Sequence, residues 1–151
     1  MQCFEHLKLK TNVTRINGST DVAPVFRAIL SAESELDRDK EHFWILCLNT
    51  KNHILQVELV TLGLLDQTVV HPREVFRPAI GCSAKSVVLC HNHPSGDPEP
   101  SDKDIQLTRR LIEAGKLLDV RVLDHVVIGE GSVWPSIAEI VAGTSLGLDF
   151  N

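Results

Sequence analysis

The residues best suited to chemistry lie in the stretch Cys-His-Asn-His-Pro-Ser-Gly-Asp-Pro-Glu-Pro-Ser-Asp-Lys-Asp, positions 90–104. His91 and His93 follow an apolar run at 86–90 that reads as a strand, and residues two apart on a strand point to the same side. Two imidazoles therefore face one spot. Pro94, Gly96, Pro98 and Pro100 interrupt regular structure and force a turn, after which Ser101-Asp102-Lys103-Asp104 opens an amphipathic helix. Asp104 can fold back toward the two histidines. Two neutral nitrogens and one carboxylate oxygen suit Zn²⁺, and three protein ligands leave the fourth tetrahedral position for water, as in catalytic sites. The same pieces have plainer uses. A His-x-His pair at a strand end is often a solvated loop feature, and Ser-x-x-Asp before an apolar run is a capping box in its own right. The order strand, turn, helix start is what favours the metal reading, and Ser101 and Asp104 can cap and do chemistry together.

The elements that must position this loop follow from hydrophobic periodicity. Asp21 is placed to cap a helix from Val22 to about Leu36, with Val22, Val25, Phe26, Ile29, Leu30 and Ala32 as its apolar stripe. The charged run 34–41 reads as a solvated helix end. A central strand spans His42 to Asn49, and a second, from about His53 to Val60, must pair antiparallel with it across so short a turn. A short strand at Val69-Val70 precedes a helix opened by Pro72 and running to about Ala84. His71, just before it, reads as a capping or surface residue. After the strand at 86–90 and the loop, the helix from Asp102 to about Leu118 turns Ile105, Leu107, Thr108, Leu111, Ile112, Ala114 and Leu118 inward. A parallel crossover then leads to Val122-Leu123. Asp124 and His125 read as a structural strand-end pair, with a hydrogen bond to the metal site as the alternative role. A hairpin through Glu130-Gly131 and a short helix from Ser136 complete the chain. This order predicts a three-layer α/β/α fold with a mixed sheet, an N-terminal arm at 1–20 and one metal-dependent domain at 21–151.

His91-x-His93-Pro94, six further residues and Ser101-x-x-Asp104 resemble the signature of the JAMM (MPN-plus) metalloproteases. More narrowly, the His-Asn-His-Pro-Ser-Gly-Asp-Pro-Glu-Pro-Ser run resembles the bacterial RadC family, with His71-Pro72-Arg73-Glu74 before it and Leu123-Asp124-His125 after it. The resemblance covers about residues 22–141, in a short form without the helix-hairpin-helix segment of longer members. It implies an MPN (JAB), cytidine-deaminase-like fold and a zinc site held by His91, His93 and Asp104. It also implies a general base from the start of the corresponding strand, which points to Glu41 over Glu33, Glu35 and Glu58. Without the resemblance, Glu41 reads as a surface carboxylate in a charge cluster. The implied reaction is hydrolysis of a peptide or isopeptide bond by a metal-bound water, with Ser101 donating to the developing oxyanion. Deaminase chemistry is disfavoured, because the His-x-Glu and Pro-Cys-x-x-Cys ligand set is absent.

Bulk properties agree with a small soluble enzyme. The chain of 151 residues is 43% hydrophobic and 23% charged, ordinary for one globular domain. A formal net charge of −5 and no Tyr give no electrostatic or stacking footprint for nucleic acid, so DNA remains a partner that charge does not support. Cys3, Cys47, Cys82 and Cys90 form no Cys-x-x-Cys pair and read as reduced thiols in a cytoplasmic protein. No signal peptide or membrane-spanning run is recognised. Two further functions compete with hydrolysis. One is a non-catalytic DNA-repair accessory or protein-binding module. The other is a structural metal, which needs a fourth ligand such as His125 or Cys90, although Cys90 should point to the face opposite His91.

Overall fold

Strand β1 (Glu41–Leu48) is the spine of the domain in the computed structural model, which describes residues 13–63, 70–129 and 135–138. It pairs antiparallel with β2 (Ile54–Gly63) on one side and with β3 (Ser86–Asn92) on the other. β3 in turn pairs parallel with β4 (Arg121–Ile128), giving the mixed order β2-β1-β3-β4. A strand paired on both edges and covered on both faces must be apolar throughout, and every β1 residue after Glu41 is buried.

Side-chain alternation sends β1 into two cores. Trp44, Leu46 and Leu48 pack with Val22, Val25, Phe26 and Ile29 of α1 (Ser19–Ala32) on one face. Phe43, Ile45 and Cys47 pack on the other face against α3 (Pro72–Gly81) and α4 (Asp102–Leu118). Helices on both faces of a mixed sheet make the three-layer α/β/α fold expected from the element order. Full burial of a side chain such as Phe26 or Phe76 contributes about 1.5–3 kcal/mol.

Several boundaries differ from the sequence expectation, each for a local reason. The first helix stops at Ala32, because Glu33 is extended and the Ser34 side chain accepts from the Asp37 N–H to start a separate turn, α2 (Glu35–Arg38). Gly18, not Asp21, is the N-cap of α1, while the Asp21 carboxylate accepts from the Asn17 N–H at 2.8 Å. α3 ends at Gly81 rather than Ala84, since Ser83 turns to a φ of 55° and the Ala84 N–H returns to the Ala79 carbonyl. β2 starts one residue later than expected and runs on to Gly63. β3 extends past Cys90 to Asn92, and β4 is continuous through Asp124 and His125, which are therefore mid-strand residues.

Val70 is buried in the core beside α3 but is not in a strand, and Val69 lies outside the described residues. The hairpin expected at 130–134 also lies outside them, whereas Ser136 bridges Val126 on the edge of β4. Within the stretch 1–20, Arg15 bridges His53 and Ile16 is buried against α1. Cys47 and Cys90 are buried free thiols and Cys82 is half-buried and free, while Cys3 lies outside the described residues. Burial pushes the Cys47 and Cys90 thiols up, which keeps them protonated and unreactive. Among the described residues no helix is long and apolar enough to cross a membrane.

Candidate metal centre

Sheet register assembles the site. Phe43 pairs with His91, so Glu41, two residues nearer the start of β1, falls level with His93 just past the end of β3. Alternation along β3 turns His91 toward the α4 face with Val87 and Leu89, while Cys90 joins the α1 core. Asn92 fastens the two strand ends together. Its Oδ1 accepts from the His42 N–H at 2.6 Å and its Nδ2 donates to the Lys40 carbonyl at 3.0 Å, bracketing Glu41 on both sides. Sequence reasoning did not find this role, because nothing local to Asn92 announces a partner 50 residues away.

His93 lies one residue beyond β3, yet its N–H still bonds the Ile128 carbonyl at 2.8 Å. Its own carbonyl accepts from the Gly96 N–H, and Gly96 takes the positive φ of 86° that the turn requires. The helix side of the site is fixed by a capping box. Asp104 donates its N–H to Ser101 Oγ at 3.2 Å, and the Asp104 Oδ2 accepts from the Ser101 N–H at 2.8 Å. The carboxylate is thereby held in one orientation before any ligand binds.

Donor atoms of three residues converge. His91 Nε2 lies 2.9 Å from His93 Nε2 and 3.3 Å from Asp104 Oδ1, and His93 Nε2 lies 3.2 Å from Asp104 Oδ2. Ligand atoms on a tetrahedral zinc with bonds of about 2.0–2.1 Å stand roughly 3.3 Å apart, close to the spacing of each imidazole nitrogen from the carboxylate oxygen it faces, and one ligand atom from each of the three residues lies within 4.8 Å of the other two. Hydrogen-bond logic sharpens the point. His93 Nδ1 is 2.8 Å from the Asp97 carbonyl, an acceptor only, so Nδ1 carries the proton and Nε2 presents its lone pair. Lone pairs and a carboxylate crowded together demand a positive charge among them.

The protonation tendencies express the same demand. The Asp104 hydrogen bond raises the pKa of His93 against the opposing effect of burial, with help from the Asp97 carbonyl and the charges of Asp104 and Glu41. Burial pushes the Asp104 carboxyl up, but the adjoining His91 and His93 imidazoles, which stabilise its charge when they are protonated, and the backbone N–H of Ser101 outweigh it. Asp104 is held well below the usual carboxylate range. Among the described residues, His91, His93 and Asp104 form the group able to hold a metal ion.

Behind His91 the packing is buried. Phe43 stacks beside His91 and meets His125 edge-on, with ring centroids 6.3 and 5.5 Å apart. His125 is fully buried on β4, with Nε2 2.7 Å from His91 Nδ1 and Nδ1 2.6 Å from Thr108 Oγ1. Burial keeps His125 neutral, with its pKa well below the usual histidine value. Both its nitrogens are engaged, so it is not the fourth ligand of a structural metal site, and Cys90 faces the other core. Asp124 has a separate job. Its carboxylate accepts from Ser136 Oγ at 2.7 and 2.8 Å and from the Ala138 N–H, pinning residues 136–138 to β4. His71 is the N-cap residue of α3 and outside the cluster.

A mixed-sheet α/β/α sandwich with a His, His, Asp cluster where a central strand gives way to a helix start is the arrangement of the JAB/MPN class. A family model described as "RadC-like JAB domain" matches residues 16–142, and the chain belongs to the RadC family. It is 58% identical over 92 residues to a "UPF0758 protein" of Desulforudis audaxviator, a match covering 61% of this chain and 40% of that protein. Over 115 residues it is 48% identical to a "UPF0758 protein" of Syntrophomonas wolfei, covering 76% and 48% respectively. A "UPF0758 protein" of Geobacter sulfurreducens is 55% identical over 95 residues, covering 63% and 42%. The matched stretch thus spans less than half the length of each of these relatives.

Proposed function

We propose that the chain is a zinc-dependent hydrolase of peptide or isopeptide bonds, with His91, His93 and Asp104 as the ligands. The observation that carries this reading is the convergence of two imidazole nitrogens 2.9 Å apart on a carboxylate whose two oxygens lie 3.3 and 3.2 Å from them, in a shell fixed by backbone hydrogen bonds. Two nitrogens and one oxygen form a borderline donor set that suits zinc. Bound there, zinc would supply a Lewis acid and a water whose pKa falls to about 7.

The remaining work falls to the chain. Glu41 stands level with His93, close enough for its charge to act on that ring, and receives the proton of the attacking water. It then returns that proton to the leaving amine. Ser101 already accepts the Asp104 N–H through an oxygen lone pair, which leaves its hydroxyl proton to donate to the carbonyl oxygen as charge develops there. The substrate approaches along a cavity of about 460 Å³ that adjoins His93 and is lined by Arg27, Arg38, Asn92 and Gly129 among others, with no carboxylate among the described residues of its wall. Two guanidinium-bearing residues in that wall favour a substrate with acidic residues beside the scissile bond.

The test is hydrolysis of a panel of fluorogenic peptides and isopeptide-linked conjugates by the zinc-loaded protein. Cleavage that is abolished by a chelator, restored by zinc, and absent in a Glu41→Gln variant that still binds metal supports the reading. A zinc-loaded protein inert on every peptide and isopeptide substrate would instead favour a binding module.

A further inference from the structure

Four groups on three different elements form one hydrogen-bonded line behind His91. Thr108, one turn after Asp104 on α4, has Oγ1 2.6 Å from the Asp104 backbone carbonyl and 2.6 Å from His125 Nδ1. His125 Nε2 continues the line to His91 Nδ1 at 2.7 Å. All three side chains are fully buried, so no water competes for these positions.

The direction of the line is set at its far end. A backbone carbonyl can only accept, and a threonine hydroxyl has one proton, so Thr108 donates to Asp104 and must accept from His125. A neutral His125 with its proton on Nδ1 presents a lone pair at Nε2, which accepts from His91. His91 then carries its proton on Nδ1 and turns the lone pair of Nε2 into the triangle. We infer that Thr108 and His125 are positioning residues whose hydrogen bonds fix His91 in the tautomer and ring orientation that ligates metal. This rests on the reading of His91 as a ligand. The Asp97 carbonyl does the same for His93 directly, so the two imidazoles are set by different devices. The line also starts from the backbone of Asp104 and ends on His91, coupling a helix-borne ligand to a strand-borne one. Partners of this kind typically govern metal affinity by about 10–100-fold.

The test compares wild type with Thr108→Val, which keeps the shape and deletes the hydroxyl, and Thr108→Ser, which restores it. Nitrogen-15 histidine spectra of the metal-free protein report the tautomer of each ring, and competition with a chromophoric chelator reports zinc affinity. The expected wild-type spectrum has His91 and His125 both protonated on Nδ1. In Thr108→Val both rings should lose that fixed tautomer and zinc affinity should fall about 10–100-fold, while Thr108→Ser stays near wild type. His91 protonated on Nε2 in the wild type overturns the inference, whatever the stability of the variants. So does a Thr108→Val protein with unchanged tautomers and unchanged affinity. A parallel His91→Ala titration separates the premise from the inference. Unaltered zinc binding there removes His91 as a ligand, while the tautomer spectra still report whether the line of hydrogen bonds operates.

Discussion

Gly129, the residue after β4, lies so close to Pro98 of the metal loop that a Cβ on Gly129 would stand 2.8 Å from both the Cβ and the backbone nitrogen of Pro98. The same Cβ would meet the Gly96 carbonyl oxygen at 2.7 Å. The loop between His93 and Asp104 is thus seated directly on the backbone at the end of β4, and the seat admits only glycine. Gly129→Ala should push the loop outward and pull His93 away from Asp104. We expect a loss of stability of about 1–3 kcal/mol, as for other overpacked sites. Zinc affinity should fall as well, whereas an Ala at the exposed Gly18, where a Cβ meets nothing within 4 Å, should leave affinity unchanged. Calorimetric titration of both variants checks the contrast.

The cap that Ser101 provides is separable from the role proposed for its hydroxyl. Ser101→Ala removes the cap of α4 and should cost about 0.5–2 kcal/mol in thermal or urea unfolding. If the hydroxyl also donates to the oxyanion, kcat should drop by about 10²–10³. Ser101→Asp keeps a capping oxygen but offers no proton. It should recover much of the stability while remaining as slow as Ser101→Ala, and full recovery of rate in that variant would remove Ser101 from the chemistry.

Metal-free protein and zinc binding should respond to pH in opposite senses. His93 has a raised folded pKa, so the stability it gains from Asp104 is fully present below its unfolded value of about 6.5 and is lost as pH rises through the folded value. In chemical denaturation of the metal-free protein, the advantage of wild type over Asp104→Asn should therefore be full below the ordinary histidine value of about 6.5 and shrink as pH rises above it. Zinc competes with the same proton, so its affinity should climb over that interval. A flat stability difference accompanied by rising zinc affinity would show that His93 does not pair with Asp104 in the metal-free state.

Arg27 and Arg38 test the proposed preference for acidic substrates. With a cleavable acidic substrate in hand, the Arg27→Ala/Arg38→Ala pair should raise KM about tenfold at nearly constant kcat, the signature of lost uniform binding. A neutral substrate of the same length should show no such change. Equal effects on both substrates would reject an electrostatic role for the groove.

Much of the site was legible because its signals are local. The turn prolines, the Ser-x-x-Asp cap and the apolar period of α4 fix where Asp104 stands, and the helix from Asp102 to Leu118 has the bounds its sequence predicts. The same Ser-x-x-Asp signature at Ser34 to Asp37 divides the first helical region in two, a break hidden by the charged run around it. Thr108 looked like another inward-facing residue of an apolar stripe, and only its position four residues after Asp104 hinted at more. The sequence reads Asp124 and His125 as a strand-end pair. In the fold Asp124 is satisfied by Ser136 and Ala138, so β4 runs straight through and carries His125 beneath His91. Contacts of 17 and 34 residues in sequence separation have no local signature, which is why the triangle could be read from the chain and its support could not.

The central claim is that His91, His93 and Asp104 hold a metal ion while Glu41 stands outside its shell. Elemental mass spectrometry of purified wild type, His93→Ala, Asp104→Ala and Glu41→Gln, each equilibrated with zinc and then desalted, tests it most directly. We predict one zinc per chain in wild type and Glu41→Gln and a loss of zinc in the other two, in line with three protein ligands. Wild type that emerges without metal, or a His93→Ala protein that keeps it, would contradict the account.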